Sequence, residues 1–124
     1  MIRFLVVAVV AASSSAAEAQ GVTVTLSEWK VGLSRDTVKA GPVTFRVSNS
    51  GSMNHAFFVH GTDLDEGTRE IGKGESATLR VTLKPGTYDV YCPMSDLSHK
   101  KAGMARTIVV MTADAPAAAK KPGG

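Results

Sequence analysis

An all-β chain folded as an antiparallel β-sandwich is the architecture this sequence predicts. Three observations carry it. Apolar residues recur at every second position, the period of a half-buried strand and not of a helix. Clusters of glycine, proline, asparagine and serine interrupt those runs at short intervals. No long segment carries a helical pattern.

The elements follow in order. Arg3 precedes the apolar run Phe4 to Ala12, and Ala17-Glu18-Ala19 follows. A positive start, a short apolar stretch and an A-x-A site read as a secretory signal peptide over residues 1–19. Cleavage after Ala19 leaves Gln20 as the expected mature start, outside the cytoplasm in the periplasm or secreted. The run is too short to span a bilayer, so stable membrane insertion is not expected. Neither an arginine pair nor a cysteine marks this region for twin-arginine export or a lipid anchor.

A single domain is expected over residues 20–112. Val22 to Leu26 opens it with a β signal. After Ala40-Gly41-Pro42, Val43, Phe45 and Val47 alternate with Thr44, Arg46 and Ser48. The turn Asn49-Ser50-Gly51-Ser52 leads to the run His55 to Val59. Residues Gly61 to Gly74 have no strong pattern and suit a loop with a short edge strand or one helical turn. Ala77, Leu79, Val81 and Leu83 then alternate with polar residues up to Lys84-Pro85-Gly86. Thr87 to Tyr91 continues the strand signal. Thr107 to Val110 ends it, with both faces apolar, so alternation does not settle which side is inside. The last stretch, residues 113–124, is an Ala/Lys/Pro/Gly tail without large apolar residues and is expected to be disordered.

Composition narrows the function. The 124 residues are 44% hydrophobic and 20% charged, with a net charge of +3. This is one ordinary globular domain, and its scattered cations do not suggest a nucleic-acid binder. A single cysteine excludes an internal disulfide, a four-cysteine iron–sulfur cluster and a four-cysteine zinc site.

Cys92 gains meaning from its neighbours. His55, Phe57 and Val59 share one face of their run, and Tyr88, Val90 and Cys92 share one face of theirs. If the large apolar residues point inward, His55 and Cys92 meet at one end of the sandwich. The loop from Pro93 to Gly103 can bring His99 and Met104 to the same place. A thiolate, two imidazoles and a thioether form a soft donor set that suits copper better than magnesium or calcium. Zinc also accepts one thiolate and two imidazoles, which would leave Met104 idle. Taken singly, each residue has a plainer reading: an inert or intermolecularly bridged thiol, a solvated loop histidine, a core-filling methionine. Met94 is the second choice as axial ligand, Met53 caps the site's apolar rim, His60 faces outward, and Trp29 is read as core in preference to an electron relay.

Several stretches carry a family likeness: Lys39 to Phe45, Asn49 to Phe57, Leu83 to Pro93, and His99 to Met104. Through them the chain resembles the cupredoxins, the plastocyanin and azurin group of small blue-copper proteins. The resemblance implies a Greek-key β-sandwich with one mononuclear copper ion. It implies His55, Cys92 and His99 as equatorial ligands and Met104 as the axial one. The Cys92–His99 loop, with six residues between them, is longer than in plastocyanins and azurins. Tyr88 resembles the tyrosine corner of Greek-key sandwiches, a structural role.

The expected function is a periplasmic one-electron Cu(II)/Cu(I) shuttle. The alternative is a periplasmic copper carrier or scavenger using the same residues. An enzyme is not expected, because Tyr91 and Pro93 flank Cys92 where multicopper enzymes place histidines for the next copper. His99 is expected to reach the surface through Pro93, Met94, Leu97 and Ala102 as the electron exit. Lys100 and Lys101 beside it favour a redox partner with an acidic docking surface. The protein is expected to act as a monomer.

Overall fold

Alternation decides which residues face the core. The structure, a computed structural model, describes residues 20–114. The expected signal peptide lies outside them, as does the expected tail beyond Asp114. Nine strands and one short helix form in the described residues: β1 (Gln20–Ser27), β2 (Lys30–Leu33), β3 (Thr37–Lys39), β4 (Gly41–Asn49), β5 (Phe58–Gly61), β6 (Leu64–Gly67), β7 (Ser76–Leu83), β8 (Gly86–Tyr91), α1 (Ser98–Ala102) and β9 (Ala105–Met111). One sheet has the order β2-β1-β4-β7 and the other β3-β9-β8-β5-β6.

The fold is a β-sandwich of the expected class, and both sheets are mixed. β1 runs parallel to β4, and β3 runs parallel to β9. The remaining strand pairs are antiparallel. The chain makes β1 and β2 in the first sheet, crosses to the second for β3, and returns as β4. That crossover lets β4 lie beside β1 in the same direction, which a tight hairpin does not allow.

Val22, Val24, Leu26, Val43, Phe45, Val47, Leu79 and Leu83 point inward from the first sheet. Val59, Tyr88, Val90, Ile108 and Val110 face them from the second. Burying each large side chain of this kind is worth about 1.5–3 kcal/mol. Ile108 and Val110 settle the last strand: the even positions are inside, and Val109 is outside. The patternless segment holds an edge strand, β6.

Tyr88 forms the expected corner. Its hydroxyl donates to the Lys84 carbonyl at 2.9 Å and accepts the Lys84 amide at 3.1 Å. This ties the β7–β8 turn to β8, the strand that leads into Cys92.

Candidate metal centre

His55 lies in the chain between β4 and β5. Its run is not a continuous strand: β5 begins only at Phe58, and His55 pairs alone with Ile71. The His55 amide donates to the Ile71 carbonyl at 3.0 Å, and the Ile71 amide donates back at 2.7 Å. Asn49 fixes the approach. It continues the inward row of Val43, Phe45 and Val47 and is buried. Its side-chain amide donates to the carbonyls of Met53 and Ile71 at 2.7 and 2.9 Å, and its oxygen accepts the Gly51 amide at 2.9 Å. Every hydrogen-bonding role of a buried Asn that these contacts fill removes a penalty and a degree of freedom.

Cys92 follows β8 and is fully buried. Its sulfur accepts the Ala56 amide at 3.4 Å, and its own amide donates to the Met104 carbonyl at 3.1 Å. His99 sits in α1, inside the loop expected to carry it. The Met104 amide donates to the His99 carbonyl at 3.1 Å. Met104 is fully buried and is thus tied through its backbone to both Cys92 and His99. Gly103 caps α1 at φ 134°, a conformation that favours glycine, and a Cβ there would stand 2.7 Å from the Trp29 carbonyl.

Three donor atoms converge. Nδ1 of His55 and Nδ1 of His99 are 3.2 Å apart, and the Cys92 sulfur lies 3.9 and 3.7 Å from them. One first-row ion with bonds of about 2.0–2.1 Å to nitrogen and 2.3 Å to sulfur, at trigonal angles, needs separations of about 3.5 and 3.8 Å. The side chains present therefore fit a metal, and their N/S character fits copper. Met94 only packs partly buried against the core, and Met53 is 44% exposed.

The electrostatics suit a closed site. Burial pushes the Cys92 thiol up, opposed by the amides of Ala56 and Met94. Burial holds His55 below the usual imidazole value, with Glu28 opposing it. The Glu28 carboxylate is lowered to about 2, first by the Met53 amide and also by its own amide and Ser52. Its oxygen accepts from the Met53 amide at 2.7 Å and from the Ser52 amide and hydroxyl at 2.8 and 3.1 Å. The same oxygen stands 3.7 Å from Nε2 of His55, a buried atom without a hydrogen-bond partner. A carboxylate on that side favours the proton on Nε2 and leaves Nδ1 free as a donor to metal.

One expectation is corrected. Trp29 is not core: it is 42% exposed, and its ring meets His99 edge-on at 4.8 Å and His55 at 6.4 Å. His99 is nearly buried at 3% exposure, and the Trp29 ring packs edge-on against it. His60 faces outward as expected, 3.8 Å from Asp65. Glu28 went unnoticed in the sequence because its contact with His55 spans a distant turn. Asn49 had a signal, a polar residue on an otherwise apolar inward row.

A search of curated protein sequences finds no match. Among solved structures, auracyanin from Roseiflexus castenholzii is similar, with 19% identity over 74% of this chain and 97% of its own, at a TM-score of 0.62. An oxidized amicyanin variant shares 20% identity over 72% of this chain and 80% of its own, with a TM-score of 0.52. A blue copper oxidase from Nitrosomonas europaea shares 15% identity over 82% of this chain but only 41% of its own length, with a TM-score of 0.63. These likenesses concern the fold. The family model for the cupredoxin-like domain matches residues 1–112. With that match over the sandwich just described, the chain belongs to the cupredoxin-like domain family.

Proposed function

We propose that the protein is a periplasmic blue-copper electron-transfer protein that holds one copper ion through His55, Cys92, His99 and Met104. The convergence of two Nδ1 atoms and one sulfur within 3.9 Å carries this reading. Copper, when bound, supplies the one-electron couple. The chain supplies a fixed set of donors. The Ile71 bridge and Asn49 hold His55, the Ala56 amide steadies the Cys92 sulfur, and backbone bonds through Met104 join Cys92 to His99. All three donor residues are at most 3% exposed, so water is kept from them. A dry, pre-formed donor set favours electron transfer with little rearrangement.

Redox use also agrees with the described relatives: the auracyanin is dithionite-reduced, and amicyanin appears both oxidized and reduced. A non-enzymatic role is supported by Tyr91 and Pro93 beside Cys92, and by His60 standing on the outer face. Lys101 is exposed and the Lys100 ammonium rests 4.4 Å over the Tyr91 ring, so both present charge to an acidic redox partner. The placement in the periplasm rests on the N-terminal pattern of Arg3, the apolar run and Ala17-Glu18-Ala19.

Burial of the histidines favours a shuttle over a carrier that must release its ion. The two differ in one experiment. The copper-loaded protein should show one reversible one-electron wave and should keep Cu(I) when mixed with a Cu(I)-binding acceptor. Rapid transfer of Cu(I) to the acceptor would support the carrier instead.

A further inference from the structure

Nε2 of His55 is buried and has no hydrogen-bond partner among the described residues. A neutral imidazole that gives Nδ1 to a metal carries its proton on Nε2. That buried N–H needs a group of negative charge beside it. The Glu28 carboxylate stands 3.7 Å away, at ion-pair distance. It comes from the turn between β1 and β2, which supplies no donor residue of the centre.

The carboxylate is fixed, and its charge is not cancelled. One oxygen accepts the Met53 amide at 2.7 Å and the Ser52 amide and hydroxyl at 2.8 and 3.1 Å. These donors are neutral, so they hold the group and leave its charge intact. Among the described residues, the one ion pair of Glu28 is with His55. The Met53 amide above all keeps its pKa at about 2, so it is ionised at neutral pH. At 23% exposure the charge is only partly screened by water. A fixed negative charge attracts a doubly charged ion more strongly than a singly charged one in the same place.

We propose that Glu28 is a positioning residue that biases the centre toward its oxidized state. It holds the His55 proton on Nε2, which leaves Nδ1 free for the metal, and its charge lowers the reduction potential. The proposal rests on the copper reading of the site. Glu28 acts as a fixed charge: it exchanges no proton and passes no electron. The Ala56 amide, 3.4 Å from the Cys92 sulfur, draws charge from a thiolate and favours the reduced state. Glu28 works in the opposite sense from the His55 side, so the two contacts set the potential between them.

The test is voltammetry of the copper-loaded chain and of Glu28→Gln. Glutamine keeps a carbonyl oxygen for the Ser52 and Met53 donors and loses the charge. The variant is first shown to retain the charge-transfer band. Its Cu(II) affinity should fall relative to Cu(I) by about tenfold, the lower end for losing the partner of a metal ligand. That ratio raises the midpoint potential by about 59 mV for one electron. A Glu28→Gln potential equal to or below the unsubstituted one overturns the tuning role. A second measurement needs no copper and, in its first arm, no variant: nitrogen NMR of the His55 ring in the metal-free protein at neutral pH. The ring should be neutral with its proton on Nε2, and Glu28→Ala, which removes charge and acceptor together, should weaken that preference. A proton on Nδ1 of His55 in the unsubstituted chain overturns the positioning role. An unsubstituted chain with no charge-transfer band overturns the copper reading and this proposal with it. A normal band and wave that Glu28→Gln leaves unmoved overturns the role of Glu28 alone.

Discussion

Glu28 keeps its charge in acid because three donors from Ser52 and Met53 converge on one carboxylate oxygen. Its pKa falls from 4.5 to about 2, so the folded state binds this proton more weakly than the unfolded chain. The stabilisation is complete above pH 4.5 and is lost as pH falls toward 2. Glu28→Gln removes it. In thermal melts of the metal-free protein, the gap between the chain and Glu28→Gln should be widest at neutral pH. It should hold down to about pH 4.5 and close toward pH 2. A gap independent of pH would mean that the carboxylate charge does not matter. Residue by residue, the sequence reveals the donors better than their supports. Cys92, His55 and His99 stand out through rare chemistry at inward positions. Glu28 and Trp29 sit in a short turn whose partners lie elsewhere in the chain, and nothing local ties them to the imidazoles.

At the scale of elements, the long strands were legible and the short ones were not. β4 and β7 alternate over eight or more residues, enough for the period to show. β2, β3 and β6 have three or four residues each and take their form from neighbouring ladders. The parallel pairings were equally hidden, since alternation says which face is inside and not which strand lies beside which. The β4 end is where the fold positions the centre. Asn49 joins β4 to the His55 loop and to Ile71. Asn49→Ala would take the side-chain partner from the Met53 carbonyl and the Gly51 amide and leave the Ile71 carbonyl with the His55 amide alone, at about 1–3 kcal/mol for each unpaired group not rescued by water. We expect chemical denaturation to show a loss of about 2–3 kcal/mol with an unchanged slope. The variant's metal affinity should also fall, because the His55 loop loses its anchor. A loss below about 0.5 kcal/mol, typical of a surface change, would contradict this role for Asn49.

At the scale of the whole molecule, the ordered sandwich is small and its stability modest. A metal that binds only the folded chain adds stability by mass action, about 4 kcal/mol at a thousandfold excess over Kd. For a domain of this size that corresponds to a rise in Tm of roughly 15–30 °C. Removing the metal with a chelator should reverse the rise, and a melt indifferent to copper would argue against a site built by the fold. The mixed sheets bring residues from the β4–β5 connection, the end of β8 and α1 to one end of the molecule, where no two of the donors are sequence neighbours. That assembly is the central claim. Its most direct test is the visible spectrum of the Cu(II)-loaded protein and of Cys92→Ser. The account predicts an intense blue or green charge-transfer band that disappears in the variant. A colourless, weakly held copper, or a band that survives in Cys92→Ser, would contradict it.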